Sequence, residues 1–342
     1  VTSDGDRQDL RSDQSLWPLL VFGLTLSVVG FYLAFRPVPE TERERDEITV
    51  EARHLTDDAA LEPTDPGRPV ELGYGPAGSR QLAFEMRQGN GADSGTLQSR
   101  LAFVLTEESL PPDQLEPSVL PEEQEPAVGL AWTFDRVAVS VRDGGGEVGR
   151  DIVDQVDRLL VGTRQVRVFD EIGVPLAAEW TSVTNPQVRE TLALVRHAQT
   201  LLLPRLPRGP VNAGESWIYH LKADTVNPMG AGRLKGIVEV ETVYRGNVSG
   251  EADRELAYLQ RRFSIDGTLV KEDGSEAETT LSLEGEGRGT ALFDLAKGQV
   301  VESRVTFQRL LTRGAEQGGE SDAGQQVQRG TVKLFLGERS AR

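Results

Sequence analysis

From about residue 80 onward the sequence is dominated by a period of two. Leu82 and Phe84 alternate with their neighbours in "QLAFEM", and "TLQSRLAFVLT" and "LAWTFDRVAVSVRD" continue the pattern. Successive side chains on a strand point to opposite faces, so this spacing predicts antiparallel strands with one buried and one wet face. Later segments read the same way: "SWIYHLKAD", "LKGIVEVETVY", "ELAYLQRRFSI", "TTLSLEGEG", "TALFD", "VVESRVTFQRL" and "TVKLFLG", separated by turn signals such as "NPMGAG" and "KEDGSE". Two stretches break the period. "RDIVDQVDRLL" places Ile152, Val153, Val156, Leu159 and Leu160 on one side of a helix, and "NPQVRETLALVRHAQTLLL" starts with Asn185 as N-cap and Pro186 in the first turn. The expected fold class is α+β, mainly antiparallel β, with long curved sheets and two packed helices.

A second signal lies near the amino terminus. Residues Leu16 to Phe35, "LWPLLVFGLTLSVVGFYLAF", carry no charge, and as a helix they would span on the order of 30 Å, the thickness of a bilayer's hydrocarbon core. Trp17 and Tyr32 near its ends suit the membrane interfaces. A cleaved signal peptide is the competing reading. The length of the run, the acidic segment before it and the lack of an Ala-x-Ala site after it favour an uncleaved anchor in the lipid bilayer. Arg7 and Arg11 precede the run, whereas Arg36, Arg43, Arg45 and Arg53 follow it, so the positive-inside count leans against an extracytoplasmic bulk. The later arginines are interleaved with Glu40, Glu42, Glu44, Asp46 and Glu47. Large domains cross regardless of such charges, and the expected location is therefore a bacterial cell membrane with most of the chain outside the cytoplasm.

The expected organisation is a tail over 1–15, a membrane helix over 16–35, a flexible acidic linker over 36–69 and a β-rich domain over 70–338. "PRLPRGPVNAGESW" divides that domain into two possible related halves, 70–183 and 205–338. Composition narrows the function. The chain has no cysteine, which removes disulfides, thiolate metal sites and lipidation at a lipobox. Its net charge of −17 disfavours nucleic acid, whose phosphates need clustered Lys and Arg.

The phrases "FDEIGVPLAAEW" and "FDLAKGQVVESRVTF" pose one specific question, because each sets Phe-Asp shortly before a glycine. In the first, Val174, Leu176, Ala178 and Trp180 alternate after the glycine; in the second, Val301, Val305 and Phe307 alternate with Glu302, Arg304 and Thr306. Each therefore reads as the turn and second arm of a hairpin. Asp170 and Asp294 open the turns by bonding their own backbone, and Gly173 and Gly298 close them at positive φ. A catalytic role for either aspartate is the much weaker reading, since such turns are common.

"LPRGPVNAGESWIYHL" followed by "GEGRGTALFDLAKGQVVESRVTF" resembles an uncharacterised family of bacterial envelope proteins, secreted or anchored and rich in strands. The matching positions are Leu206, Pro207, Pro210, Val211, Gly214 and Trp217, then Gly285, Gly287, Phe293, Asp294 and Gly298. The likeness covers residues 70 to 336. It implies an envelope location and a long curved antiparallel sheet similar to that of periplasmic lipoprotein carriers, and it implies no activity. Members tethered through a lipidated cysteine differ from this chain, which carries the apolar run instead.

No catalytic, metal or cofactor constellation stands out. His54, His197 and His220 lack partners at ligand or triad spacing. "GEGRG" at 285–289 lacks the lysine and the βαβ context of a phosphate loop, "GESW" lacks the second glycine of a nucleophile elbow, and Asn247–Ser249 is a glycosylation triplet by spelling alone. Glu239 and Glu241 share a strand face, for which solvation is the default in so acidic a chain. Trp132, Phe134, Trp217 and Tyr219 fall at strand spacing, as core or as the lining of an apolar groove. The expected function is a membrane-anchored binding or scaffolding module without catalysis. The alternatives are a periplasmic carrier or sensor of lipid-like ligands and, third, a hydrolytic enzyme.

Overall fold

The computed structural model of the chain describes residues 61–75, 78–90, 98–115, 128–143, 146–147, 158, 160–180, 186–226, 233–250, 254–271, 279–313 and 327–338. The apolar run 16–35 and the acidic stretch to residue 60 lie outside the described residues, and no described helix is long and apolar enough to cross a membrane.

The strands are β1 (Arg80–Asn90), β2 (Gln98–Leu110), β3 (Val128–Asp143), β4 (Gly146–Glu147), β5 (Arg164–Phe169), β6 (Pro175–Trp180), β7 (Ser216–Val226), β8 (Arg233–Ser249), β9 (Glu255–Lys271), β10 (Thr279–Asp294), β11 (Gln299–Arg313) and β12 (Val327–Glu338). Eleven of them form one antiparallel sheet in the order β6-β5-β3-β2-β1-β12-β11-β10-β9-β8-β7, and β4 pairs with β3 off this path. The chain thus makes two meanders, which join where β1 pairs with β12. Mainly antiparallel β is what the alternation implied. Beside a single 3-10 turn at Pro112–Gln114, one α-helix is described rather than two: α1 (Pro186–Leu202) links the meanders, while most of the other expected helix falls outside the described residues.

"TTLSLEGEG" and "TALFD" were expected as separate strands and form one, β10, running straight through the glycines. The cause is packing. Gly287 lies between Phe263 on β9 and Phe307 on β11, whose rings meet edge-to-face at 5.1 Å across it, and a Cβ at Gly287 would come within 2.5 Å of Phe307. Glycine in the middle strand lets the two flanking rings touch.

Bulges set the face of several side chains. In β11, Phe293 pairs with Val300 but Leu292 pairs with Glu302, so Val301 is the extra residue. Val301 therefore leaves the face of Val305 and Phe307, contrary to the simple alternation, and joins Val248, Leu256 and Leu292 in a small cluster on the other side. Similar irregularities occur at Asp135 in β3 and Arg245 in β8.

The inner face carries the main core. Leu82, Phe84, Phe103, Leu105, Phe134, Val240, Leu259, Phe263, Val305 and Leu336 are buried there, and α1 adds Leu192, Val195, Ala198 and Leu202. Each of the leucines, valines and phenylalanines among them contributes roughly 1.5–3 kcal/mol by leaving water. Helix α1 stops where Pro204 and Pro207 follow, because proline can neither donate to nor continue the turn. Past that stop, residues 203–211 bridge the two sheet edges: the Leu206 amide donates to Ile172 O between β5 and β6, and Trp217 Nε1 of β7 donates to Arg205 O at 2.8 Å.

Candidate functional site

One end of the sheet is closed by the chain that precedes it. Residues 61–75, which we call the strap, cross the strand ends and include the last part of the stretch read as linker. Thr64 bridges to Asn247 of β8, Val70 to Val211, the Tyr74 amide donates to Glu171 O at 2.9 Å, and the Gly75 amide donates to Gly298 O at 3.0 Å.

The two Phe-Asp-to-glycine phrases meet at this strap. Asp170 Oδ1 accepts the amides of Ile172 and Val174, and Asp294 Oδ1 accepts those of Ala296 and Lys297. Gly173 and Gly298 have φ of 80° and 62°. Tyr74 sits between the phrases, stacked on Phe169 at 6.2 Å and edge-to-face with Phe293 at 5.5 Å, and its hydroxyl donates to Pro204 O at 2.8 Å. A Cβ at Gly173 would strike the Tyr74 ring, and one at Gly298 would lie 2.5 Å from Gly75 N. Each phrase is thus a local Asx turn and half of a clamp. Enclosure of its hydroxyl pushes the Tyr74 pKa well above the ordinary phenol value, with Tyr219 adding to the effect.

A ladder of charges runs along the same end. Trp132 Nε1 donates to Glu107 Oε2 at 2.6 Å, and Arg80 pairs with Glu107 at 2.6 Å and with Glu338 at 2.9 Å. Glu338 in turn meets Arg254 at 3.1 Å, and Arg254 lies 3.5 Å from Asp294 Oδ2. Glu107 is only 1% exposed, so its pairing with Arg80 is essential rather than decorative. Burial raises the Glu338 pKa, but Arg80 and Arg254 outweigh it and hold the carboxyl below its ordinary value. A polar pocket of about 190 Å³ opens against the ladder, lined by Ser79, Arg80, Gln81, Lys297, Gln299 and Glu338, with Gly78.

Further in, the carboxyl end of α1 is held by polar groups from opposite walls. Arg261 of β9 donates to Leu201 O at 2.8 Å and to Ser303 Oγ, and Ser303 Oγ donates to Leu202 O, each at 2.7 Å. These satisfy carbonyls that the helix end leaves without intrahelical partners, and a cation there suits the helix dipole. From β5, Arg167 Nη1 donates to Gln199 Oε1 at 3.2 Å and Nη2 to Thr200 Oγ1 at 3.0 Å, while its guanidinium lies 4.9 Å over the Phe169 ring. Burial, helped by Arg196, lowers the Arg167 pKa to about 10, which still leaves it charged at neutral pH.

The aromatics singled out in the sequence divide by position. Trp132 and Phe134 are buried in the core, with Phe134 edge-to-face on Phe103 at 4.9 Å. Trp217 and Tyr219 are half-buried on β7 and pack against residues 203–206, Tyr219 accepting the Arg205 amide. His220 is exposed and lies 3.2 Å from Glu239, and Glu241 lies 3.8 Å from Arg262 on the outer face. His197 is half-buried on α1, and His54 lies outside the described residues. Asn247 is buried, accepting from the Tyr244 hydroxyl and donating to Glu255 at 2.5 Å. Among the described residues no cluster of three or more His, Asp or Glu is arranged to hold a metal.

The residues that build this end were mostly not singled out in advance. Tyr74, Arg80, Glu107, Gln165, Arg167, Gln199, Arg261 and Glu338 are brought together by register over long sequence separations. One signal was readable: Arg261 takes the inward place between Leu259 and Phe263, and Gln165 and Arg167 take the parity of Phe169. Set beside known proteins, the chain matches no family model and no curated sequence.

Proposed function

We propose that the chain is a single-pass, membrane-anchored protein of a bacterial cell envelope, whose β-rich domain is a binding module held outside the cytoplasm. The strap carries this reading. The residues that lead from the uncharged run Leu16–Phe35 into the domain end in a clamp that engages β8, the β5–β6 turn and the β10–β11 turn, so the module is gripped at the end where its tether arrives. Resemblance to a family of envelope proteins supports the location, and catalysis is not part of the reading. High-speed centrifugation of lysed cells, followed by carbonate extraction, tests it. The full-length chain is expected in the pellet and released only by detergent, and recovery in the supernatant without detergent overturns the proposal.

A second reading, a carrier or sensor of lipid-like ligands, is favoured by one observation: the inner wall beside α1 holds buried polar groups that the fold itself does not satisfy. Gln165 is 1% exposed, and neither end of its amide has a hydrogen-bond partner among the described residues.

A further inference from the structure

The outer face of the sheet carries one row that runs against the composition of the chain. Followed across the strands by register, the places opposite one another are Arg262 on β9, Arg288 on β10, Thr306 on β11, Lys333 on β12, Arg87 on β1 and Arg100 on β2. All six lie on the side away from the core, and all but the half-buried Arg100 are exposed. Arg262 thus directly opposes Arg288, Lys333 opposes Arg87, and Arg87 opposes Arg100, and like charges so placed weaken a sheet. Acids answer only part of this. Glu241 lies 3.8 Å from Arg262, and Glu85 is shared by Arg87 and Arg100. Among the described residues Arg288 and Lys333 have no ion-pair partner, so the row keeps a positive surplus in a protein whose net charge is −17. The row repels itself and makes no internal contact that offsets the repulsion; an anion laid along it would.

Shape narrows the partner. The line is one residue wide, because the neighbouring rows hold Glu239 and Glu286 on one side, and Glu85 with the Glu302-paired Arg304 on the other. It is also convex, since the core and α1 occupy the inner side and residues 203–211 tie the two sheet edges together. A flat anionic bilayer would touch only the crest of the row, together with the acids beside it. Nucleic acid would find no second row for an opposite strand and no aromatic in the row for its bases. A flexible chain with one acid per unit fits. Neighbouring strands stand about 4.8 Å apart, close to the length of one sugar ring, and the row from β9 to β2 extends about 24 Å. Guanidinium groups bind carboxylates with charge-assisted strength. We propose that this row is a docking line for an acidic polysaccharide, whose uronate carboxylates meet Arg262, Arg288, Lys333, Arg87 and Arg100 in turn as the sugar chain crosses the strands. The proposal rests on the binding-module reading and names its partner, but it does not depend on the membrane anchor.

The test uses the full chain in phosphatidylcholine nanodiscs, titrated by calorimetry with polygalacturonate, monomeric galacturonate, dextran, polyphosphate and duplex DNA, and mixed with phosphatidylglycerol vesicles in a flotation assay. Polygalacturonate is expected to bind roughly a hundredfold more tightly than its monomer, because the carboxylates act together, and the uncharged dextran is expected not to bind. Its affinity should fall roughly tenfold between about 50 and 200 mM salt as counterions are released. Arg288→Gln with Lys333→Gln is expected to weaken binding roughly tenfold. Lys222→Gln with Lys235→Gln, the same change of charge at exposed places on β7 and β8, should leave it within about twofold, since screening isolates charges so far from the row. Arg288 and Lys333 stand opposite like charges or Thr306, so the thermal midpoint of their double variant should equal or exceed that of wild type. A lowered midpoint would make the row structural and overturn the proposal, as would equal weakening by the two double variants. Polyphosphate, DNA or the vesicles binding more tightly than polygalacturonate overturns the polysaccharide in favour of that partner. Binding of none of the probes overturns the docking line, while the anchoring reading is judged separately by sedimentation.

Discussion

Gly298→Ala is the sharpest probe of the clamp, because the same substitution at Gly67 provides its control. Both glycines are left-handed at nearly the same angle, φ 62° and 66°, so an alanine at either incurs the same local strain of roughly 1–2 kcal/mol. They differ in what surrounds them. A Cβ at Gly67 meets nothing within 4 Å, whereas at Gly298 it lies 2.5 Å from Gly75 N and 2.6 Å from Gly73 O, both backbone atoms that cannot turn aside. The strap must therefore move, which forfeits the Gly75-to-Gly298 hydrogen bond, about 1 kcal/mol, and much of the Tyr74–Phe293 ring contact, about 1 kcal/mol more. Gly298→Ala is expected to destabilise by about 3–4 kcal/mol against about 1–2 for Gly67→Ala. A gap of about 2 kcal/mol corresponds to roughly 4–8 °C in midpoint for a domain of this size. Denaturant unfolding of the full-length protein, followed by tryptophan fluorescence, measures the difference. Amide exchange at Tyr74, whose N–H is bonded to Glu171 O, reports whether the strap loosens first. Equal shifts for the two variants would refute the idea that strap contact, rather than turn geometry, dictates glycine at 298.

Two further outcomes follow from the charge ladder. Arg80→Met strands Glu107 in the core with Trp132 as its remaining partner and is expected to cost about 3–5 kcal/mol, whereas Arg80→Met with Glu107→Leu is expected to cost clearly less than the sum of the single changes; additive losses would sink the pairing argument. Glu338 has a folded pKa below its unfolded value, so its contribution is complete above the ordinary glutamate range near ~4.3 and is lost as pH falls through the lower folded value. The unfolding midpoint of wild type should therefore drop more steeply below about pH 4 than that of Glu338→Gln, and parallel curves would count against the ladder.

The sheet was legible because its signal is local. Alternation in "ELAYLQRRFSI" or "SWIYHLKAD" needs nothing beyond the strand itself, and each segment lies within one strand of the structure. Where alternation misled, a long-range fact intervened. Val301 changes face because a bulge in β11 inserts one residue, and no property of "QVVESR" alone requires that. "TTLSLEGEG" and "TALFD" read as separate strands, with the glycines of "GEGRG" relieving a strongly bent strand; the room that Gly287 leaves for Phe263 and Phe307, and Gly289 for Phe263, exists only once three strands are side by side. The polar interior is an intermediate case. Arg261 could be seen to occupy an inward position, but its purpose could not, since its partners Leu201 and Ser303 are 60 and 42 residues away. Tyr74 carried no local signal at all, lying outside any alternating run.

The recurrence of Phe-Asp before glycine need not record a duplication, because the strap supplies a physical reason for it. Left-handed glycines in this fold are of two kinds. At Gly67, Gly209 and Gly214 an added Cβ would meet open space, so the turn alone calls for glycine there. At Gly173, Gly246 and Gly298 the strap presses on the residue: the Tyr74 ring on the first, Thr64 O at 2.5 Å on the second, Gly75 N on the third. A tight turn that must also accept a crossing chain has to shed its side chain at the point of contact, and the aspartate opening each of the two loops holds the turn rigid for the strap to lie on. The phenylalanines before the aspartates are then placed to wall Tyr74 on both sides. Any two hairpins that end beneath the same crossing segment would converge on this phrase. Freeing that segment means breaking backbone hydrogen bonds to β8, to Val211 and to both turns, and under the proposed membrane anchoring these are the contacts through which tension on the preceding chain would reach the sheet.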